Sequence, residues 1–161
     1  YLWVAAYDKN TMSIDPSTLK QCLGNTEAWE NTPDYPAAPI MEGPTVIKHK
    51  GKYYLFYSAN HFMSRDYAVG YAVADSPMGP WHKPANNRII HRSIVGENGS
   101  GHGDVFADKK GNLFYVYHVH NSNHAVSPRL TRIVPLHFIP SNDGFDHVIV
   151  KKEEVIVPMK K

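Results

Sequence analysis

Two ionisable side chains, Glu42 and His102, occupy the same place in two copies of a repeated segment. Residues 42–58 and 102–118 align without a gap, with glycine, aromatic and apolar residues at matching positions. A carboxyl group at the start of a strand could serve as a general acid, which protonates a leaving-group oxygen. A histidine in the same register could order water or contact a metal ion. The sequence leaves a structural role open for both, as a capping or paired glutamate and as a structural histidine.

Residues near these two positions could bind a substrate. Arg129 follows the second copy, and its guanidinium group could hold hydroxyls or a carboxylate, although it could also form only a surface ion pair. Asn60, His61 and Phe62 follow the first copy. Because the second strand of a hairpin returns antiparallel to the first, these residues are predicted to lie beside Glu42 and to form part of a pocket wall.

Each copy of the repeat predicts a β-hairpin that would position these side chains. Strand-like residues flank the turn at Lys50 and Gly51, and the second copy has the same pattern around residues 108–112. The stretch 67–74 is apolar on both faces, which is typical of a strand covered on both faces. The proline-rich stretch 25–41 is predicted to be a loop. Strands are predicted at residues 1–4, 45–48, 52–58, 67–74, 105–107, 113–119, 130–135, 148–150 and 155–157.

The repeated hairpins predict a β-propeller. Repeated units of this kind stack around or along an axis, and closure around an axis would bring Glu42 and His102 together. Residues 1–4 match residues 54–57, the second strand of the first copy, so the chain is expected to begin halfway through a blade. The fold class is predicted to be all-β, with residues 1–161 forming one partial propeller domain of about two and a half blades. The missing blades would come from an upstream segment of the same chain or from another chain.

Composition limits the classes of function. The chain has 161 residues, of which 42% are hydrophobic and 20% charged, as in an ordinary globular domain. The net charge of +2, with histidine neutral, favours neither a nucleic acid nor a membrane surface as a partner. The sequence has no apolar run of about 18 residues. Cys22 is the only cysteine, which excludes an internal disulfide, and the absence of a Cys/His cluster argues against zinc.

A set of motifs, in order along the chain, resembles glycoside hydrolase family 43. The motifs lie at residues 41–44, 51–58, 67–72, 76–81, 100–103 and 142–145. The resemblance implies a five-bladed β-propeller, of which this chain would be roughly the last two and a half blades. It also implies hydrolysis of arabinose- or xylose-containing glycans with inversion at the anomeric carbon. The expected substrate is a plant-type oligo- or polysaccharide, and a secreted or periplasmic location is expected from such polymeric substrates.

The resemblance also implies roles for individual residues. Glu42 matches the general acid of the family, His102 matches a histidine near the axis that helps hold a hydrated calcium ion, and Arg129 matches a substrate-binding arginine. No organic cofactor is implied. The family also uses two aspartates, a base and a second residue that orients the substrate, and both would lie before residue 1. Three aspartates of this chain match neither position: Asp8, Asp15 and Asp34.

The chain is therefore expected to carry the acid without the base and to be inactive alone, because inversion needs both groups. Two other classes of protein stay open at this point. A carbohydrate-binding propeller could keep the scaffold without catalysis, and an interaction module could be assembled from two chains. An aspartate in the upstream blade would favour the enzyme, and its absence would favour the binding protein. The sugar and its linkage are left open.

Overall fold

The computed structural model describes residues 1–34 and 40–159. Within these ranges the chain folds mainly into β-strands. Along the chain these are β1 (Leu2–Asp8), β2 (Ser13–Leu23), β3 (Met41–His49), β4 (Lys52–Ala59), β5 (Ala68–Ala74), β6 (Arg88–Ile90), β7 (Gly101–Ala107), β8 (Leu113–Val119), β9 (Leu130–Pro135), β10 (His137–Ile139) and β11 (His147–Ile149). The helical elements are α1 (Arg92–Val95) and the 3-10 turns Ala28–Glu30 and Lys152–Glu154. Among the described residues, no helix has the length and apolar character needed to cross a bilayer.

The described strands form antiparallel sheets that follow one another along the chain. β1 pairs with β2, and the next sheet has the order β3-β4-β5-β6. The third sheet has the order β7-β8-β9, and β10 pairs with β11. Consecutive small antiparallel sheets of this kind are the blades of a propeller. The sequence-based prediction of an all-β, partial propeller is confirmed in this respect.

The hydrophobic core joins the second sheet to the third. Nearly every residue of β4 and β5 is buried, as their apolar sequences predict. Phe56 of β4 packs against Tyr115 of β8, with ring centroids 5.9 Å apart, and lies 6.2 Å from the ring of Tyr71 in β5. Burial of each such aromatic side chain stabilises the fold by about 1.5–3 kcal/mol. Because β4 is held against the third sheet, its hairpin partner β3 comes into contact with β7.

The strand predictions differ from the structure at β2, β6, β10 and residues 155–157. The sequence does not predict β2, because Asp15, Pro16 and their polar neighbours break the apolar alternation. Most of β2 is exposed, and a strand with a solvent-facing side tolerates proline. The predicted strand at 155–157 is wrong: in this stretch only Ile156 forms an isolated bridge, to Ile133 of β9.

Two regular elements overlap the described part of the predicted loop at residues 25–41, since β3 already begins at Met41. The 3-10 turn Ala28–Glu30 lies within it, and residues 35–39 lie outside the described part of the chain. β10 is also absent from the sequence-based prediction. Its three residues are too few to show a hydrophobic period of their own, and it becomes recognisable only through its pairing with β11.

Candidate active site

The carboxyl group of Glu42 lies between two side chains that come from other strands or loops. The Tyr67 hydroxyl donates a hydrogen bond of 2.7 Å to Glu42 Oε1. His102 Nδ1 lies 3.6 Å from the same oxygen and 3.4 Å from the Tyr67 hydroxyl. The side chains of Glu42 and His102 are 35% and 52% exposed, so both are accessible from solvent. The structure therefore brings the two repeat positions together, as the register of the repeats predicts.

Matching irregularities in two strands create this arrangement. The β3–β4 ladder shifts register directly after Glu42, and the β7–β8 ladder shifts around His102. Such bulges bend a strand and redirect its side chains. Gly43 follows with a φ of +59°, and a Cβ at this position would lie 3.5 Å from the His102 ring. The two blades are also joined directly, since the His102 backbone N–H donates to Ser58 Oγ at 2.8 Å.

Tyr67 is a site residue that the sequence-based reasoning missed. Its side chain is fully buried. Burial raises the pKa of the Tyr67 hydroxyl most, and the hydrogen bond to Glu42 raises it further, so the hydroxyl stays protonated. One signal could have found it. The start of β5 pairs with the end of β4, which in turn ends beside Glu42 on β3. The residue just before β5 is therefore placed next to the acid.

A second group of side chains continues from Tyr67. The His118 ring stacks on the Tyr67 ring with centroids 5.6 Å apart, and Arg129 Nη1 donates to His118 Nε2 at 2.9 Å. The Arg129 guanidinium also lies 5.4 Å from the centre of the Phe62 ring. Burial, together with the positive charge of Arg129, lowers the pKa of His118 to about 4, so its imidazole is a neutral acceptor at pH 7. A series of contacts through His118 and Tyr67 thus connects Arg129 and Phe62 with Glu42.

The three residues after β4 have different surroundings. Asn60 is buried, and its amide donates to Thr32 Oγ1 at 2.6 Å, so the side chain shapes the loop from within and does not line its surface. His61 stacks on Phe62 with ring centroids 4.7 Å apart. Phe62 is 37% exposed, and its carbonyl accepts a hydrogen bond of 2.9 Å from His120. A role of these three residues in substrate binding stays a prediction, and Phe62 has the most suitable position for it.

Comparison with known proteins identifies the family to which this chain belongs. Residues 1–144 match the sequence profile of Glycosyl hydrolases family 43. The chain belongs to this family. The resemblance noted from the motifs is thereby confirmed, and so is the all-β, five-bladed β-propeller fold, of which this chain covers a part.

Several family 43 relatives cover much of the chain. An endo-1,4-β-xylanase from Bacteroides thetaiotaomicron is 37% identical, with a TM-score of 0.82 over 97% of this chain and 51% of that chain. A thermostable family-43 glycoside hydrolase is 36% identical, with a TM-score of 0.74 over 91% of this chain and 46% of that chain. An extracellular endo-α-(1→5)-L-arabinanase from Thermotoga petrophila is 30% identical in an alignment of 128 positions that covers 70% of this chain and 26% of the relative. The chain thus spans about half the length of these solved structures.

The calcium contact predicted for His102 is an indirect one, through water. Among the described residues, no group of three or more His, Cys, Asp or Glu side chains is arranged to hold a metal ion. Calcium prefers about six to eight oxygen ligands, and the His102 imidazole has none to offer. The His102 imidazole is therefore not a suitable direct ligand for calcium, and a contact through water stays a prediction.

The neutral state of His118 predicts a pH dependence of stability. The folded chain lowers the pKa of this residue from its ordinary value of 6.5 to about 4. As the pH falls, His118 is therefore protonated in the unfolded chain before it is protonated in the folded chain. The contribution of the neutral imidazole to the free energy of unfolding is complete above pH 6.5 and is lost as the pH falls towards 4. We expect the urea midpoint of a folded protein that contains this chain to decrease over that interval.

Two variants separate this effect from general acid unfolding. In His118→Gln the urea midpoint should decrease less between pH 6.5 and about 4 than in wild type, because glutamine does not titrate. His124→Gln is the matched control, since His124 is exposed in the loop between β8 and β9 and its replacement should leave the decrease unchanged. An equal decrease in wild type and His118→Gln would show that protonation of His118 has no part in it.

Proposed function

We propose that this chain supplies the general acid and part of the substrate surface of a family 43 glycosidase, which hydrolyses arabinose- or xylose-containing glycans with inversion. One observation carries the proposal: the Glu42 carboxyl is anchored by Tyr67 on one oxygen and remains accessible to solvent beside His102. A general acid needs this combination, because its carboxyl must be oriented and must also reach the leaving-group oxygen. The family membership of the chain supports glycoside hydrolysis as the reaction.

The base is proposed to come from a propeller segment that residues 1–161 do not include. An inverting glycosidase uses two carboxyl groups roughly 6.5–9.5 Å apart, with a water molecule between the second carboxylate and the anomeric carbon. Asp8, Asp15 and Asp34 do not match the family positions for the base. The chain covers 51% of the Bacteroides xylanase, which leaves room for the base in the other half of such a propeller. In this proposal the chain alone does not turn over substrate.

Arg129 and Phe62 are proposed to hold the sugar. Arg129 uses one N–H group on His118 and has further guanidinium donors for substrate hydroxyls. The exposed part of the Phe62 side chain, 37% of it, could give an apolar surface to a sugar ring. The extracellular arabinanase relative supports a polymeric substrate and a location outside the cytoplasm for the complete protein.

The proposal is tested on a complete propeller that contains residues 1–161, either in a longer natural chain or joined to the complementary part of a family 43 relative. Arabinan, xylan and the corresponding aryl glycosides are the substrates, and NMR follows the anomeric configuration of the first product. Release of the inverted anomer supports the proposal. Retention of configuration contradicts it, and binding without hydrolysis of any substrate would favour a carbohydrate-binding propeller.

A further inference from the structure

We propose that Tyr67 is a positioning residue that keeps the transferable proton of Glu42 on Oε2, the carboxyl oxygen that Tyr67 does not contact. This inference rests on the proposed role of Glu42 as the acid. It starts from the hydrogen bond of 2.7 Å in which the Tyr67 hydroxyl donates to Oε1. A protonated carboxyl group carries a single hydrogen, and an oxygen that already accepts a hydrogen bond from a neighbour is the less suitable place for it.

The surroundings of Tyr67 hold its hydroxyl at this oxygen. The side chain is fully buried, and one face of its ring stacks on His118. Gly101 lies against the ring so closely that a Cβ there would be 2.3 Å from a ring carbon. Only glycine at position 101 therefore leaves the space that the ring occupies. Because the ring is packed in this way, the hydroxyl cannot move away from Glu42 without displacing its neighbours.

The direction of the hydrogen bond follows from the distances. The reverse arrangement, in which Glu42 donates from Oε1, would require Tyr67 to turn its own hydrogen towards His102 Nδ1 or Ser58 Oγ. The His102 contact is 3.4 Å long, compared with 2.7 Å to Glu42, and Ser58 Oγ already accepts a hydrogen bond from the His102 backbone N–H. The raised pKa of the buried Tyr67 also keeps its hydroxyl a donor at any pH at which a glycosidase operates. The proton of the acid is thus directed to Oε2.

The test is the leaving-group dependence of Tyr67→Phe in the complete propeller described above. For glycans and phenyl glycosides, whose leaving groups need protonation, we expect kcat to decrease by about 10- to 100-fold, because the variant lacks the hydrogen bond to the carboxylate that forms as Glu42 gives up its proton. For dinitrophenyl glycosides, which leave without protonation, kcat should change by less than about threefold. KM should stay near the wild-type value, because the hydroxyl contacts the acid and not the sugar.

Tyr71→Phe is the matched control. Tyr71 is also buried and lies in the adjoining strand β5, but its hydroxyl donates to Asn86 Oδ1 at 2.6 Å, away from Glu42. This variant should lose stability and keep the wild-type ratio of rates on the two classes of substrate. An equal loss on both classes in Tyr67→Phe, or no loss on either, would overturn the inference.

A second measurement does not depend on activity or on the folding of Tyr67→Phe. Fluorotyrosine introduced at position 67 keeps both ring and hydroxyl, and its fluorine resonance should shift when Glu42→Gln is added. An unchanged resonance would contradict the contact. The two proposals also fail separately. If Glu42→Gln keeps wild-type rates on substrates with poor leaving groups, the assignment of Glu42 as the acid is wrong. If Glu42→Gln loses activity on these substrates and Tyr67→Phe does not, only the role of Tyr67 is wrong.

Discussion

In a complete propeller that contains this chain, Glu42→Gln is expected to lower kcat on arabinan or xylan by about 100- to 10,000-fold, the usual contribution of a general acid. Glutamine has nearly the same size as glutamate, and the Tyr67 hydroxyl can still donate to its Oε1. The fold and the substrate surface should therefore persist. What is lost is the proton on the second carboxyl oxygen, which an amide cannot transfer to a leaving group.

The choice of substrate makes this result specific. On dinitrophenyl glycosides the loss should be far smaller than on glycans, because a good leaving group needs no proton. Glu153→Gln is the matched control, since Glu153 is exposed on the 3-10 turn Lys152–Glu154 and should tolerate the change without effect on either substrate. Equal rates for wild type and Glu42→Gln on an unactivated glycan would show that another group donates the proton.

The pairing of Glu42 with His102 could be predicted from the sequence because it depends on repetition. Two copies of one hairpin place equivalent residues at equivalent positions of neighbouring blades, and the structure brings these side chains to within 3.6 Å. Local signals were sufficient for this: the turn at Lys50 and Gly51, and the apolar strands that flank it. The contact between Arg129 and Phe62 was not foreseen, and their role in substrate binding stays a prediction.

Contacts between segments without a repeat relationship could not be predicted in this way. Tyr67 reads in the sequence as one more aromatic residue before an apolar strand, and its polar function appears only when three strands are in register. The same limit applies to Glu30 and Lys83. They lie 53 positions apart in the sequence, and neither belongs to a motif. Their contact depends on how the loop after β2 folds over the second sheet.

The pair formed by Glu30 and Lys83 lies at the centre of a buried polar network. Lys83 Nζ donates to Glu30 Oε1 and Oε2 at 2.6 and 2.8 Å, and the two side chains are 0% and 8% exposed for Glu30 and Lys83 respectively. The Tyr57 hydroxyl donates to Oε1 at 2.6 Å. The backbone N–H groups of Thr26 and Glu27 donate to Oε2 at 2.7 and 2.9 Å. The carboxylate therefore ties the loop before the 3-10 turn Ala28–Glu30 to strand β4.

Lys83→Met should destabilise the folded protein by about 3–5 kcal/mol, because it leaves the Glu30 carboxylate buried without its counter-ion. The measurement is urea unfolding of a folded protein that contains this chain. Lys52→Met is the matched control: it breaks the ion pair with Asp75, whose side chain is 85% exposed, and should cost less than about 1 kcal/mol. Similar losses in the two variants would mean that the buried pair contributes no more than a surface pair.

The double variant Glu30→Leu/Lys83→Met then separates the charge from the hydrogen bonds. Removing both ions relieves the unpaired charge, so the double variant should be more stable than the sum of the two single losses implies. It should still be less stable than wild type, because the N–H groups of Thr26 and Glu27 would lose their acceptor and the Tyr57 hydroxyl would be left with its longer hydrogen bond of 3.1 Å to Asn87 Oδ1. Full recovery of wild-type stability would show that the network serves only to neutralise Lys83. Partial recovery would show that the carboxylate is retained because it satisfies the backbone of the loop.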